Sequence, residues 1–453
     1  MIEVDAAVVG AGISGLVVAH RLKQTGHTVV CLDPNSPGGV ISSRFEGGFL
    51  TERGPNSTLE TCPEITKLIA ELDLGSERIY ASDRAKRRFI LRRKRLYDLP
   101  MSPISFLSTG LFSMRAKARL ALEPFIGKGK PGESLADFVK RRLGQEFLDY
   151  AINPFVAGVY AGNPHLLSVA AGFPKLYALE RDYGGLIMGA LRGARARKKR
   201  AEVAKDRARM LSFKRGMGAL PERLGAMLGA DWIEDRVISL ARNPGGYRLQ
   251  TAGEKALHAR VLVLAVPAMT AANLLDDLDL DAANALREIH YPPVTSVALG
   301  FKREQVAHTL DGFGFLVPEK EKRMILGSLF SSGLFPGRAP EGHVLLTTFV
   351  GGTRQPALTD QTDEQVASMV CQELSEILGI NGDPVYRSVT AWTHAIPQYD
   401  LQHLQRIERL STLESDNPGM YLRANYRDGI SVGDCIKAAE ATASQIMGYL
   451  RDF

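Results

Sequence analysis

Residues 8–33, VVGAGISGLVVAHRLKQTGHTVVCLD, limit what this chain can fold into more than any other stretch. Gly10, Gly12 and Gly15 form G-x-G-x-x-G, preceded by the apolar run Ala6 to Val9. A helical pattern follows (Leu16, Ala19, Leu22), which Gly26 can end, and a second apolar run, Thr28 to Leu32, delivers Asp33. The spacing predicts one βαβ unit with an acid about 20 residues past the glycines, the arrangement that binds a dinucleotide. Gly10 allows the tight turn, Gly12 lets the backbone approach a pyrophosphate, and Gly15 lets helix pack on strand. The helix N-terminus offers N–H groups and a partial positive charge to the phosphates. Asp33 can accept from the ribose hydroxyls.

At 453 residues the chain predicts two or three structural modules. The four cysteines (Cys31, Cys62, Cys371, Cys435) are scattered, and the histidines show no ligand spacing, so neither a disulfide framework nor a metal site is expected. No run of apolar residues is long enough to span a bilayer, and the fingerprint starts within the first ten residues, so the chain reads as cytoplasmic. The net charge of +6 is concentrated. Arg84 to Arg95 holds eight basic residues and no acid, and Arg192 to Arg209 holds nine against Glu202 and Asp206. Either run alone reads as a solvated face. Together they suggest an anionic partner, with nucleic acid disfavoured because no recognised module accompanies them.

Gly38-Gly39, followed by Val40, Ile41 and two serines, reads as a second close-approach loop, suited to a cofactor larger than a nicotinamide dinucleotide. Residues 45–57 read as a hairpin entering a loop. Residues 93–209 are mostly helical in pattern, and Ile104 to Ile126 fits either an interfacial amphipathic segment or ordinary core helices. Residues 211–267 return to α/β grammar. Residues 294–352 are strand-rich, and Asp363 to Gly379 is an amphipathic helix, together predicting an antiparallel sheet with a covering helix. The Gly-containing stretch Tyr421 to Cys435 feeds a last helix and reads as the far end of the cofactor cradle.

Over essentially its whole length the chain resembles the protoporphyrinogen oxidase family. The resemblance rests on GAGISGL (10–16), GPNS (54–57), KRRF (86–89), PFVAGVYAGNPHLLS (154–168), GFGFLVP (312–318), LFSSGLFP (329–336), FVGG (349–352), WTHAIPQY (392–399) and NYRDGISVGDCI (425–436). It implies an α/β fold: a Rossmann-like FAD-binding domain (1–85, 211–293 and 413–453), an antiparallel-sheet substrate domain (294–412) and a helical, membrane-associating domain (86–210). FAD would lie along Gly10, Gly12, Ile13, Ser14, Gly15, Asp33, Gly38, Gly39, Val237 and Val432. By motif match Arg88 falls on the arginine that grips a propionate. Leu316 and Leu329 fall on a leucine pair that sandwiches a pyrrole, Phe349 on a stacking aromatic, and Phe313 and Gly314 on the adjoining wall, where Gly314 permits close approach. By periodicity alone Leu316, Leu329 and Phe349 read as sheet core, and Arg88 as part of a lipid-facing basic run. Two departures are visible: Ala424-Asn425 stands where the family often has Gly-Asn, and Asp33 where many relatives carry Glu.

The resemblance implies oxidation of protoporphyrinogen IX to protoporphyrin IX, with molecular oxygen reoxidising FAD and giving hydrogen peroxide. No catalytic base is identified. Further implied partners are an anionic membrane surface, here the inner membrane bound peripherally, a second copy of the chain, and ferrochelatase. The same chemistry on coproporphyrinogen III is the nearest alternative. An amine oxidase or carotenoid desaturase on this scaffold would leave the tetrapyrrole motifs unexplained, and Val40 stands where an arginine is usual. A non-catalytic binding protein is the alternative from another class.

Overall fold

The computed structural model describes residues 1–197 and 208–452. Most of the second basic run therefore lies outside the described residues.

The fingerprint forms as its pattern predicts. Strand Ile2–Val9 runs into helix Ile13–Gln24 and returns as strand Val29–Asp33. These two strands are neighbours in a seven-stranded sheet in the order Trp232–Glu234, Val29–Asp33, Ile2–Val9, Ala256–Leu264, Gly246–Thr251, Val237–Asn243, with Met420–Leu422 alongside the end of Ala256–Leu264. Pairing is parallel except in the hairpin formed by Val237–Asn243, Gly246–Thr251 and Ala256–Leu264. Three distant stretches of chain thus supply one sheet. Both faces are covered, as a parallel sheet requires. Helices Ile13–Gln24, Pro63–Glu71, Ala219–Leu228 and Val432–Arg451 pack on one face, and Ala268–Leu275, Leu280–Arg287 and His403–Asp416 on the other.

A second seven-stranded sheet runs Tyr386–Trp392, Val294–Lys302, His343–Gly351, Gly327–Leu329, Gly314–Leu316, Phe89–Arg92, Arg95–Asp98. It is antiparallel apart from one parallel pair, Phe315 opposite Phe89 and Leu316 opposite Ile90. Helix Asp363–Leu378 covers one face through Val366, Val370, Leu374 and Leu378. The outermost hairpin comes from the basic run. Arg92 faces Arg95, and Arg93 and Lys94 close the turn with φ of 50° and 63°. Both central residues are left-handed, as a two-residue hairpin turn demands, but neither is the glycine or asparagine that announces such a turn in sequence.

Between residues 103 and 197 the chain is helical, packed around Leu111, Phe112, Phe138, Phe147 and Tyr150. Arg142, wholly buried, pairs with Glu123 at 2.9 Å and with Glu180. Along Ile104 to Ile126 both readings meet: Leu111, Phe112 and Ala116 are core, whereas Ile104 (81 % exposed) and Phe125 (84 %) stand in solvent with Met101, Leu107, Met114 and Leu122. Among the described residues no helix is long and apolar enough to cross a membrane.

Candidate functional site

The cradle is built by three close approaches. Gly10 turns with φ 108°, and a Cβ on Gly15 would stand 2.0 Å from the Gly10 carbonyl oxygen, so the helix touches the turn only because both are glycine. Gly12, the N-cap of the helix, has ordinary extended backbone (φ −72°) and no capping side chain. A Cβ there meets no heavy atom within 4 Å. The Gly38-Gly39 loop closes the other wall: the Gly38 N–H donates to the Ala11 carbonyl at 2.7 Å, and a Cβ on Gly39 would lie 3.7 Å from the Gly12 Cα. Uncapped N–H groups facing open space between two glycine walls suit a pyrophosphate. Ile13 and Ser14, the first residues of the helix, are buried beneath it.

Asp33 ends its strand with both carboxylate oxygens engaged, accepting from the Ala11 N–H at 2.8 Å and the Asn35 N–H at 2.9 Å. Each oxygen keeps a second acceptor site for a ribose hydroxyl. Asp235 donates its N–H to the Asp33 carbonyl, which sets Val237 two residues beyond the acid. Val432 opens the last helix, whose Ser431 cap accepts from the Asp434 N–H. Helices Ile13–Gln24 and Val432–Arg451 pack directly on each other. Ala424 has no positive φ, so alanine costs nothing at that departure. In the same loop the Tyr399 hydroxyl donates to the Asn425 carbonyl at 2.5 Å and accepts from the Gly429 N–H at 3.0 Å.

The second sheet gathers the remaining candidates. Gly314 pairs with Leu329, and Leu329 with Thr347; Leu316 pairs with Gly327, and Gly327 with Phe349. Directly opposed residues, and residues two apart, share a face. Gly314, Leu316, Leu329 and Phe349 therefore lie on one face, with Ile90 beside Leu316. It is the face that helix Asp363–Leu378 does not cover. Across the sheet Phe315 is 2 % exposed and Val350 0 %, whereas Leu316, Leu329 and Phe349 are only half-buried. Gly314 has φ 143°, and its Cβ would strike the Ser328 carbonyl oxygen at 2.2 Å. The approach it permits is that of the neighbouring strand.

Arg88 precedes strand Phe89–Arg92 by one residue, on Ile90's side by alternation. Its guanidinium carbon stands 5.4 Å from the Phe313 ring centroid, and among the described residues no carboxylate pairs with it. Desolvation by its surroundings holds its pKa below the ordinary guanidinium value. Two of its neighbours in the basic run are spoken for. Arg87 binds Asp98 at 2.9 Å and Asp311 at 3.0 Å, and Arg92 binds Glu146 at 2.7 Å.

The family resemblance places the substrate between the helical region and this sheet, but the residue patterns did not single out the element that closes the face. Helix Asn153–Tyr160 lies over it, with Gly158 against the Leu316 side chain and Ala157 and Ala161 clustered with Phe349. Small residues on one helix face were the available signal. Farther along the face, Leu345 and Ala298 meet Phe49 of hairpin Ser43–Glu46/Phe49–Glu52, which leaves the Gly38-Gly39 loop. That hairpin is anchored by a buried pair, Glu52 and Arg338, 3.3 Å apart. Burial pushes the Glu52 carboxyl up, against Ser43, Arg338 and the Met217 N–H, which draw it down. The cofactor cradle and the open sheet face thus share one hairpin.

The sequence profile of the flavin-containing amine oxidoreductases matches residues 13–447. A protoporphyrinogen oxidase of Arabidopsis thaliana is 32 % identical, covering 98 % of this chain and 94 % of its own. A coproporphyrinogen III oxidase of Bacillus subtilis is 29 % identical over 98 % of each. Among solved structures, a protein of Exiguobacterium sp. 255-15, provisionally named a protoporphyrinogen oxidase, aligns with TM-score 0.82 at 25 % identity over 99 % of each chain. A putrescine oxidase aligns at 0.72 with 17 % identity, which shows the shared fold. With a cradle that fits its pyrophosphate, FAD is the cofactor, and the chain is an FAD-dependent oxidoreductase that belongs to the flavin-containing amine oxidoreductases, in the family of the protoporphyrinogen oxidases.

Proposed function

We propose that the chain oxidises protoporphyrinogen IX to protoporphyrin IX, with oxygen as final acceptor and hydrogen peroxide as by-product. The observation that carries this reading is the single sheet face on which Leu316, Leu329 and Phe349 stand half-buried, with Arg88 at its edge. A tetrapyrrole is a broad apolar disc with carboxylates on its rim, and that face offers apolar walls with a cation, Arg88, that pairs with no carboxylate among the described residues. Bound FAD supplies the oxidising ring for removal of hydride from the macrocycle. Arg88 holds a propionate through its planar fork of donors. Leu316 and Leu329 hold a pyrrole ring, Phe349 stacks on another, and Phe313 fixes the guanidinium. Their shared work is orientation and exclusion of water.

Coproporphyrinogen III, with four propionates, is the second reading, favoured by the Bacillus relative. Its extra carboxylates need further cations, whereas Arg87, Arg92 and Lys320 already hold carboxylates. Anaerobic mixing of the FAD-loaded enzyme with each porphyrinogen decides. Rapid flavin bleaching by protoporphyrinogen and slow bleaching by coproporphyrinogen is expected, the reverse order supports the second reading, and no bleaching by either overturns both.

The exposed side chains of Met101, Ile104, Leu107, Met114, Leu122 and Phe125 form the apolar part of a peripheral docking surface for the inner membrane, near the basic side chains Arg115 and Lys117. The family resemblance adds a homodimer and ferrochelatase as candidate partners.

A further inference from the structure

Behind Leu334 and Phe335, which pack against Leu329 and Phe313, lies a cavity of about 450 Å³, between the short helices Asp83–Lys86 and Ser331–Leu334 and the loop that follows the latter. Arg84, Arg303, Arg338 and His343 line it, with the hydroxyl groups of Ser82 and Ser332. No carboxylate lines it among the described residues. The charges of its wall are only partly compensated. Arg338 is spent on the far side of the wall, where its buried guanidinium meets Glu52 at 3.3 Å and donates to Ser212 Oγ at 2.7 Å and the Phe213 carbonyl at 3.3 Å, so the charge left to the cavity is that of Arg84 and Arg303. Asp83, beside Arg84, turns to Lys86 at 2.9 Å. Arg303 is held by carbonyl oxygens alone, those of Val306 and His308, both at 2.8 Å. Those two bonds fix the guanidinium without neutralising it. Arg84 makes no ion pair among the described residues.

The neighbourhood registers this excess. His308 is pushed below the ordinary imidazole range by burial and then by the charges of Arg303 and Arg87, against Asp311. A concave site in which the fixed Arg303 guanidinium, Arg84 and nearby hydroxyls interrupt an otherwise apolar wall matches the recognition of tetrahedral or planar oxyanions. A cationic molecule would gain nothing there. We propose that this cavity binds a small multivalent oxyanion, of the phosphate or polycarboxylate class, between Arg84 and Arg303. The site is separate from substrate binding: none of Arg88, Leu316, Leu329 or Phe349 lines it. It does share a residue with the cofactor side, because Arg338 also anchors the hairpin at Glu52.

The test uses the FAD-loaded protein, in which the dinucleotide cradle is already filled. Pyrophosphate and citrate are titrated calorimetrically against sodium chloride of equal ionic strength. Saturable one-to-one binding of at least one of them beyond chloride is expected. Arg84→Glu, a change at an exposed side chain, weakens that binding about tenfold or more, and Arg303→Gln does likewise. Arg88→Ala leaves it unchanged. Which anion binds distinguishes phosphate from carboxylate recognition. Binding no stronger than chloride overturns the proposal. So does wild-type affinity in Arg84→Glu, whatever Arg303→Gln shows, and so does a loss confined to Arg88→Ala.

Discussion

Gly12 and Gly15, three residues apart, answer the same substitution in opposite ways. A Cβ at Gly12 enters open space from an ordinary backbone conformation, whereas one at Gly15 stands 2.0 Å from the Gly10 carbonyl oxygen. Gly12→Val is expected to fold and to melt like wild-type apoprotein, yet to purify colourless, because the branched side chain fills the space of the pyrophosphate. Gly15→Val is expected not to accumulate as folded protein. Flavin absorbance per chain, with thermal melts read by circular dichroism, separates the two. Arg88 makes the matching case for the substrate. Arg88→Ala removes a charge-assisted contact of about 1.5–3 kcal/mol. That is about one to two decades in kcat/KM at ~1.4 kcal/mol per decade. On the proposed function most of the loss should appear in KM, since a propionate held by Arg88 would be gripped alike in ground and transition states, and FAD content should not change. Steady-state kinetics normalised to flavin checks this; wild-type constants would return Arg88 to the basic surface.

Two elements hang on single buried groups. Hairpin Ser43–Glu46/Phe49–Glu52 is tied to the rest of the protein by Glu52 and Arg338, each 3 % exposed at the side chain. Arg338→Met strands the carboxylate, and loss of one partner of a buried pair costs about 3–5 kcal/mol. Glu52 is already raised by burial, and a raised acid is best accommodated when protonated: its contribution is fullest below the unfolded value and is lost as pH rises through the folded one. The Arg338→Met penalty should therefore be largest near pH 8 and shrink toward pH 5, as denaturant melts at both pH values would show. The loop before the last helix depends on Tyr399, which stacks on buried His403 at 4.1 Å between centroids. Burial pushes His403 down to about 4, with Asp400 pulling up and Arg406 pushing down. A depressed histidine gives stability that is present above its unfolded value of about 6.5 and lost as pH falls toward the folded one. Acidification from pH 7 to pH 4.5 should cost on the order of 2–3 kcal/mol at 1.36 kcal/mol per unit. His403→Phe keeps the stack and should flatten this part of the profile.

Across the whole molecule, apolar and basic surface coincide on the helical segment. Met101, Ile104, Leu107, Met114, Leu122 and Phe125 are all more than half exposed, an arrangement that water disfavours unless something covers it. Sedimentation with vesicles is expected to show binding to anionic lipid that weakens as salt rises over a Debye length's worth of screening. Replacing Ile104 and Phe125 together by serine should weaken binding without altering the melt, since neither packs in the core. Equal binding to neutral and anionic vesicles would remove the electrostatic half of the argument.

What the residues alone determined was local. The βαβ unit was legible because glycine, apolar period and acid all lie within 33 residues, and each acts through its own backbone or its near neighbours. Helix Asp363–Leu378 and the strands 294–302 and 343–351 were legible by the same periodicities. The hairpin at 89–98 was not, because Arg93-Lys94 adopts the turn without the residues that favour it. The pocket candidates were chosen by family motif; periodicity alone would have buried Leu316, Leu329 and Phe349 and left Arg88 in the basic surface. That Leu316, Leu329 and Phe349 share the face opposite helix Asp363–Leu378 depends on register between strands far apart in sequence, and a one-residue slip would have turned them into the core beneath that helix. The same holds for Arg88 and for Arg338. Charge can be counted in a sequence, but whether a carboxylate stands opposite is decided only when the chain folds back. Tertiary structure spent Arg87 and Arg92 on ion pairs, buried Arg338 against Glu52, and left Arg88 free to meet a ligand.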